Sequence, residues 1–330
     1  MKKPSVTIVI VPRERFSLAV ASLRDVIDQT PEDVPIVYVD GNSPQQVRQA
    51  LDEAADHRTR FVRFAEFLSP NRARNLGFAE VDTEFVVFLD NDVWVEPNWL
   101  QMLLDCARER QAAVVSPLYL QGRHEDREVH MAGGIAHIVQ EEGKRRIRAT
   151  HDHQGKPVDE VLPLISRCET ELAEFHGVLI RSDVLRSLGG LDEGLLCSRE
   201  HIDFCMTVRN QGGKIMLEPA SQITYQRPPP FGRGDLAFFS LRWSEDWTQR
   251  TLDHFFTKWD LDRAQIPHLM TWSKKQRYRF LDPWYTYATQ FLARTAGRER
   301  VVKILQYTLY PLEGALNRLI VGISTSSRKR

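Results

Sequence analysis

Within the first 120 residues, five short β-branched or aromatic runs alternate with four helix-like segments, and that order admits few folds. Val6–Val11, Ile36–Val39, Phe61–Phe64, Phe85–Leu89 and Ala112–Val115 read as strands. Leu18–Asp28, Gln45–Ala55, Asn71–Ala79 and Trp99–Glu109 read as helices, several introduced by Ser or Pro. Strand and helix alternating at this spacing predict a mainly parallel sheet with right-handed crossovers and helices on both faces. Open sheets of this kind take ligands beyond the carboxyl ends of their strands. The loop after the first strand, Val11-Pro12-Arg13-Glu14-Arg15, holds no glycine. That excludes a dinucleotide fingerprint and a phosphate-cradling loop, so a diphosphate here needs a metal or basic side chains.

The apolar run Phe85–Leu89 stops abruptly at Asp90-Asn91-Asp92. Two carboxylates at a strand end are hard oxygen ligands suited to a divalent ion, and burying both is costly without a cation or hydrogen bonds. A solvated Asp-Asn-Asp turn is the plain alternative.

A chain of 330 residues with 42% hydrophobic residues can bury one large core or two ordinary ones. No window approaches the ~18 continuous apolar residues of a membrane helix. The run Val6–Val11 after Lys2 and Lys3 is too short for a secretory segment, so a cytoplasmic location is expected. Cys106, Cys168, Cys197 and Cys205 show no metal or disulfide spacing and read as reduced thiols. The net charge of zero conceals an asymmetry: from Phe231 to Arg330 there are 17 Lys and Arg against 9 Asp and Glu, with five of the seven tryptophans. Solvated helix faces and core aromatics explain that most simply. The other partners it could meet are an anionic membrane surface at the inner face, a phosphorylated acceptor, or the acidic N-terminal part of the same chain. Nucleic acid is not expected, since the pI is near neutral and no binding motif is present.

Four motifs in order carry a family resemblance: Ser5-Val6-Thr7-Ile8-Val9-Ile10, Ile36-Val37-Tyr38-Val39-Asp40-Gly41-Asn42-Ser43, Asn71-Arg72-Ala73-Arg74-Asn75-Leu76-Gly77 and Asp90-Asn91-Asp92. With Gly189-Gly190-Leu191-Asp192-Glu193 and Glu200-His201-Ile202-Asp203 they resemble the signatures of family-2 glycosyltransferases over residues 5 to 226. The resemblance implies an α/β GT-A fold, with a nucleotide-sugar half over 1–117, an acceptor half over 118–230 and a helical extension over 231–330. It implies a metal-dependent hexosyltransferase of polysaccharide-biosynthesis type, using a UDP-, GDP- or dTDP-sugar, Mn²⁺ or Mg²⁺, and a glycan, lipid-linked or protein acceptor.

The same resemblance assigns Pro12, Glu14, Asp40, Arg74, Asn75, Asp90 and Asn91 to the nucleotide sugar. Asp40 matches the carboxylate that meets the base, although an Asx-type turn at Asp40-Gly41-Asn42 is an alternative. Arg74 could clamp phosphate oxygens. Asp92 matches the direct metal ligand, with Asp90 toward the ribose and sugar.

Two departures follow. The family's acidic E-D-x-D element, which supplies the base of an inverting transfer, stands here as Glu200-His201-Ile202-Asp203. Glu200 is the favoured base with Asp203 supporting the helix start; His201 is a second candidate, and loss of catalysis a third reading. The Glu-His-x-acid pattern with Arg209 and Gly212-Gly213 also resembles the polypeptide N-acetylgalactosaminyltransferases, which retain configuration. The other departure is at Ile223-Thr224-Tyr225-Gln226-Arg227, where relatives carry a metal-binding His and this chain has none; His254 is the candidate to replace it. His176 reads as a half-buried histidine or an acceptor contact. His124, His130, His137, His151 and His153 lie in a polar excursion, residues 121–160, too irregular for a metal site and expected to form a mobile insert. Ser240–Phe256 reads as one amphipathic helix.

Overall fold

The computed structural model describes residues 4–122, 127–225, 231–278 and 312–322. In chain order the first half runs β1 (Val6–Val11), α1 (Ala19–Asp28), β2 (Ile36–Gly41), α2 (Gln45–Ala54), β3 (Thr59–Phe64), α3 (Pro70–Phe78), β4 (Phe85–Asp90), β5 (Val93–Val95), α4 (Trp99–Arg110) and β6 (Val114–Gln121). There follow β7 (Glu128–Met131), β8 (Gly134–Glu141), β9 (Lys144–His151), α5 (Val158–Val161), β10 (Cys168–Glu169), β11 (Gly177–Arg181), α6 (Ser182–Ser187), α7 (Glu200–Asn210) and β12 (Ile215–Tyr225). Then come α8 (Leu236–Arg242), α9 (Glu245–Lys258) and α10 (Ile266–Tyr278), with a further helix over 312–322.

The main sheet runs β10-β12-β6-β11-β4-β1-β2-β3, with β5 on β12 and β7 on β6. Strands β4, β1, β2 and β3 are mutually parallel, and β12 is parallel to β6. β11, inserted antiparallel between β4 and β6, makes the sheet mixed. Because side chains alternate across a strand, Ile8, Ile10, Val87 and Leu89 enter one core with α1 and α4. Val9, Val11, Val86 and Phe88 enter the other with α3, α7 and α9. α3 lies hard against the sheet: a Cβ on Gly77 would come within 2.3 Å of Val9 Cγ1 and 2.9 Å of Val39 Cγ2.

Three expectations change. The excursion 121–160 is largely strand, and β8 and β9 form a regular hairpin from Gly134–His151 to Glu141–Lys144; His124 and residues 226–230 lie outside the described residues. Ser240–Phe256 is two helices, because the Ser244 hydroxyl accepts the Trp247 N–H at 3.2 Å and starts α9 afresh. The basic C-terminal segment meets acidic groups of the N-terminal part through Arg242–Glu200 and Lys258 with Asp192 and Asp203. Among the described residues no helix is long and apolar enough to cross a membrane.

Candidate active site

The carboxyl ends of β1 and β4 meet side by side, Val11 opposite Asp90. Asn91 ties them together: its N–H donates to Val11 O at 3.0 Å, its amide accepts Arg13 N–H at 3.2 Å and donates to Arg15 O at 2.8 Å. Helix α8 fastens the same loop from outside. Arg242 Nη1 donates to Arg13 O at 2.8 Å, Trp243 Nε1 to Glu14 Oε2 at 2.9 Å, and buried Asp235 accepts the Phe16 and Ser17 N–H groups at 2.7 and 3.1 Å.

Arg13 is thereby aimed at both carboxylates, with Nε 3.4 Å from Asp90 Oδ2 and Nη1 3.8 Å from Asp92 Oδ2, its guanidinium 4.3 Å above the Tyr225 ring. Asp90 also accepts from Arg74 Nη2 at 3.0 Å and His176 Nδ1 at 3.0 Å. Burial alone would raise its pKa, but the His176 hydrogen bond with Arg74 and Arg13 reverses this and holds the carboxyl below its ordinary value. Asp92 contrasts with it. It is fully buried, neither oxygen has a hydrogen-bond partner, and desolvation pushes its pKa up to about 6 against the pull of Arg13.

A cleft of about 660 Å³ opens in front of this strand end. Arg74, Asp90, Glu200 and His201 line it together with Arg13, Tyr225, Arg242 and Trp243. Glu200 opens α7 after Arg199, a left-handed residue with φ 68°. Its Oε1 lies 3.4 Å from Arg242 Nη2, while the buried Oε2 has no partner. Four imidazoles from four parts of the chain, all lining the same cleft, converge on Glu174. The Nε2 atoms of His130, His151 and His201 lie 3.8, 3.4 and 3.6 Å from its Oε1, and that of His176 3.8 Å from its Oε2. Burial pushes His151 and His176 down to about 4, so both are neutral near pH 7. Burial also disfavours charge on Glu174, but the four imidazoles, His201 foremost, outweigh it and hold that carboxyl well below the usual range.

Other predicted residues sit outside the cleft. Asp40 closes a turn by accepting Ser43 N–H at 2.9 Å, and its other oxygen faces Arg48 and Arg63 at 3.4 and 3.6 Å. Pro12 packs toward Gly41. Glu14 spends both oxygens on Arg15 and Trp243, and Asn91 spends its amide on the loop. The Asn75 amide grips the Leu191 peptide from both sides, at 2.8 and 2.9 Å, and fixes the Gly189–Glu193 turn. Asp203 accepts from Lys258 Nζ and Trp259 Nε1, both at 2.8 Å, which makes it an anchor between α7 and α9. His254 does not return to Asp90 and Asp92; its Nε2 pairs with Asp192 at 2.9 Å on the solvent side. The sequence reading missed Arg13, Arg242, Tyr225 and Glu174. Arg13 was legible as the basic residue of a glycine-free loop, whereas nothing local marks Glu174.

The mainly parallel sheet with its strand-end acids is a fold of the GT-A type. Residues 7–158 match the family model for glycosyl transferase family 2. The chain is 28% identical over 156 residues to the pre-mycofactocin glycosyltransferase of Mycobacterium tuberculosis, covering 47% of this chain and 30% of that protein. It is 25% identical over 264 residues to polypeptide N-acetylgalactosaminyltransferase 11 of Xenopus tropicalis, covering 74% and 42%. The chain thus spans less than half the length of these relatives. In fold it resembles GalNAc-T7 solved with UDP, GalNAc and Mn²⁺, with a TM-score of 0.54, 16% identity and coverage of 83% and 55%. It also resembles the mannosyltransferase PcManGT of Pyrobaculum calidifontis solved with GDP-Man and Mn²⁺, with a TM-score of 0.52, 15% identity and coverage of 99% and 87%.

Proposed function

We propose that this chain is a metal-dependent glycosyltransferase that moves a sugar from a nucleoside diphosphate donor to a hydroxyl of a glycan, lipid-linked saccharide or protein, with inversion at the anomeric carbon. The observation that carries the reading is the meeting, on one cleft, of the strand-end group Arg13, Arg74 and Asp90 with Glu200, whose inner oxygen is buried and unpartnered. The orphaned oxygens of Asp92 fit a hard divalent ion, since a buried carboxylate without hydrogen bonds is costly to ionise unless a cation offsets it. Asp92, with Asp90 beside it, would hold Mg²⁺ or Mn²⁺, which supplies positive charge to the departing nucleoside diphosphate.

The chain's own residues do the rest. Arg74 locks Asp90 in place, 4.2 Å from the Phe175 ring, and Arg13, which lines the cleft beside Asp90, serves as a cation for phosphate oxygens. Glu200 Oε2 takes the acceptor hydroxyl proton as that oxygen attacks the anomeric carbon, while Arg242 fixes Oε1. Donor and ion are taken to be of the kinds that the structural neighbours were solved with, UDP with GalNAc or GDP-Man, each with Mn²⁺.

The test is a thermal-shift series with UDP-, GDP- and dTDP-sugars, with and without Mn²⁺, because a ligand of the native state raises Tm. A rise with one nucleotide only when Mn²⁺ is present is expected, and Glu200→Gln keeps that rise while losing transfer. Transfer that survives Glu200→Gln but not His201→Ala assigns the base to His201. An equal rise without divalent ion refutes the metal role, and product NMR showing the donor's anomeric configuration refutes inversion.

A further inference from the structure

The group around Glu174 is left unused by that mechanism apart from His176, which steadies Asp90. It is nonetheless built with care. Strand β7 supplies His130, the end of β9 His151, the segment before β11 Glu174 and His176, and the first turn of α7 His201. The Glu174 peptide is clamped on both sides by the Tyr119 hydroxyl, which accepts its N–H at 3.0 Å and donates to its carbonyl at 2.6 Å. His176 is stacked on Tyr225 at 4.8 Å, and His130 meets His176 edge-on at 5.2 Å.

We propose that Glu174 and its four imidazoles form a second cation site, for a divalent transition ion of the Zn²⁺ class, distinct from the hard-ion site at Asp92. Two sets of ligand atoms share the Glu174 carboxylate, His130–Glu174–His176 and His151–Glu174–His201, and within each set all atoms lie within 4.8 Å of one another. Ligands about 2.0–2.1 Å from a tetrahedral zinc are separated by about 3.3 Å. The 3.4–3.8 Å spacings from the imidazoles to Glu174 need only a small contraction to reach that geometry. The donors are nitrogen with one carboxylate, a set that suits zinc, cobalt or nickel rather than magnesium or calcium. His176 carries the outer partner expected of a metal-binding imidazole: its Nδ1–H is held by Asp90 at 3.0 Å, which leaves Nε2 as the lone-pair nitrogen facing Glu174. The Nδ1 atoms of His130 and His151 are buried without partners, so hydrogen bonding elsewhere does not explain why these rings are gathered here.

Either set supplies three ligands, so an ion keeps at least one position open toward the cleft that all five residues line. Its remaining ligand is an oxygen of whatever occupies the acceptor side. His201, as part of this group, is then unavailable as the base, in keeping with the role given to Glu200.

The test uses the full chain without a histidine tag, stripped with chelator and titrated with Co²⁺ alone, in the absence of any nucleotide sugar. The expected result is visible absorption bands of nitrogen- and oxygen-ligated Co²⁺ that saturate at stoichiometric metal and are displaced by Zn²⁺. Glu174→Gln and the double variant His130→Ala/His151→Ala, which takes one imidazole from each set, weaken binding by more than about tenfold, whereas Asp92→Asn leaves the bands in place. Absence of bands in the wild-type chain overturns the proposal whether or not the variants fold. Bands that persist in both cluster variants, or that vanish in Asp92→Asn, also overturn it. Donor binding is not read in this experiment, so its outcome is separate from that of the transferase reading.

Discussion

Asp92→Asn should make the metal-free protein more stable at neutral pH, the opposite of what removing a well-paired carboxylate does. Asp92 is fully buried, has no hydrogen-bond donor and keeps only a long contact to Arg13, so burial raises its pKa from 3.8 to about 6. Between those values the folded chain holds a proton that the unfolded chain has released. Stability therefore falls as pH rises through that window, because the native state binds more protons. The full gap of roughly two pH units corresponds to about 3 kcal/mol lost above pH 7, of which roughly half is already lost at about pH 5. Asparagine fills the same space with no charge to desolvate. Urea unfolding of both proteins in chelator should show the wild type losing about 1 kcal/mol more than Asp92→Asn between roughly pH 5 and pH 7.5. Added Mn²⁺ should restore the wild type alone, since ligation offsets the buried charge. Parallel pH profiles for the two proteins would refute the argument, and would mean that Arg13 already neutralises Asp92 in the folded state.

Two further substitutions probe the frame of the site. Gly77→Ala places a methyl group 2.3 Å from Val9 Cγ1, so α3 must lift from β1, and a loss of about 1–3 kcal/mol is expected in denaturant unfolding; an unchanged midpoint would show that the helix has slack. Asp235→Ala strands the N–H groups of Phe16 and Ser17, which should cost about 2–4 kcal/mol and loosen the loop that carries Arg13. The loop effect should appear as faster amide exchange at Phe16 and Ser17 than elsewhere in the chain.

Much of the frame was legible because it rests on local patterns. All four N-terminal helices and the strands from β1 to β4 fall within two residues of where apolar periodicity puts them, since each short segment's side-chain spacing already states which faces must be buried. The abrupt change from Leu89 to Asp90 likewise marks a sheet end without reference to any other part of the chain. The single helix read over Ser240–Phe256 failed at a capping serine that the apolar pattern overrode.

The chain's order of strands, helices and acids thus determined a sheet whose carboxyl edge carries Asp90 and Asp92. Tertiary structure alone decided what each polar side chain does there. Asn75, Asp203 and His254 have the residue types of a site, yet packing turned them toward Leu191, Lys258 and Asp192. Arg13 gained its role from α8 and Tyr225, and Glu174 from histidines up to 44 positions before it in sequence and 27 after it. A side chain's charge, partner and exposure are properties of its neighbours in space, and for these residues the neighbours are set by the sheet's crossovers rather than by adjacent sequence.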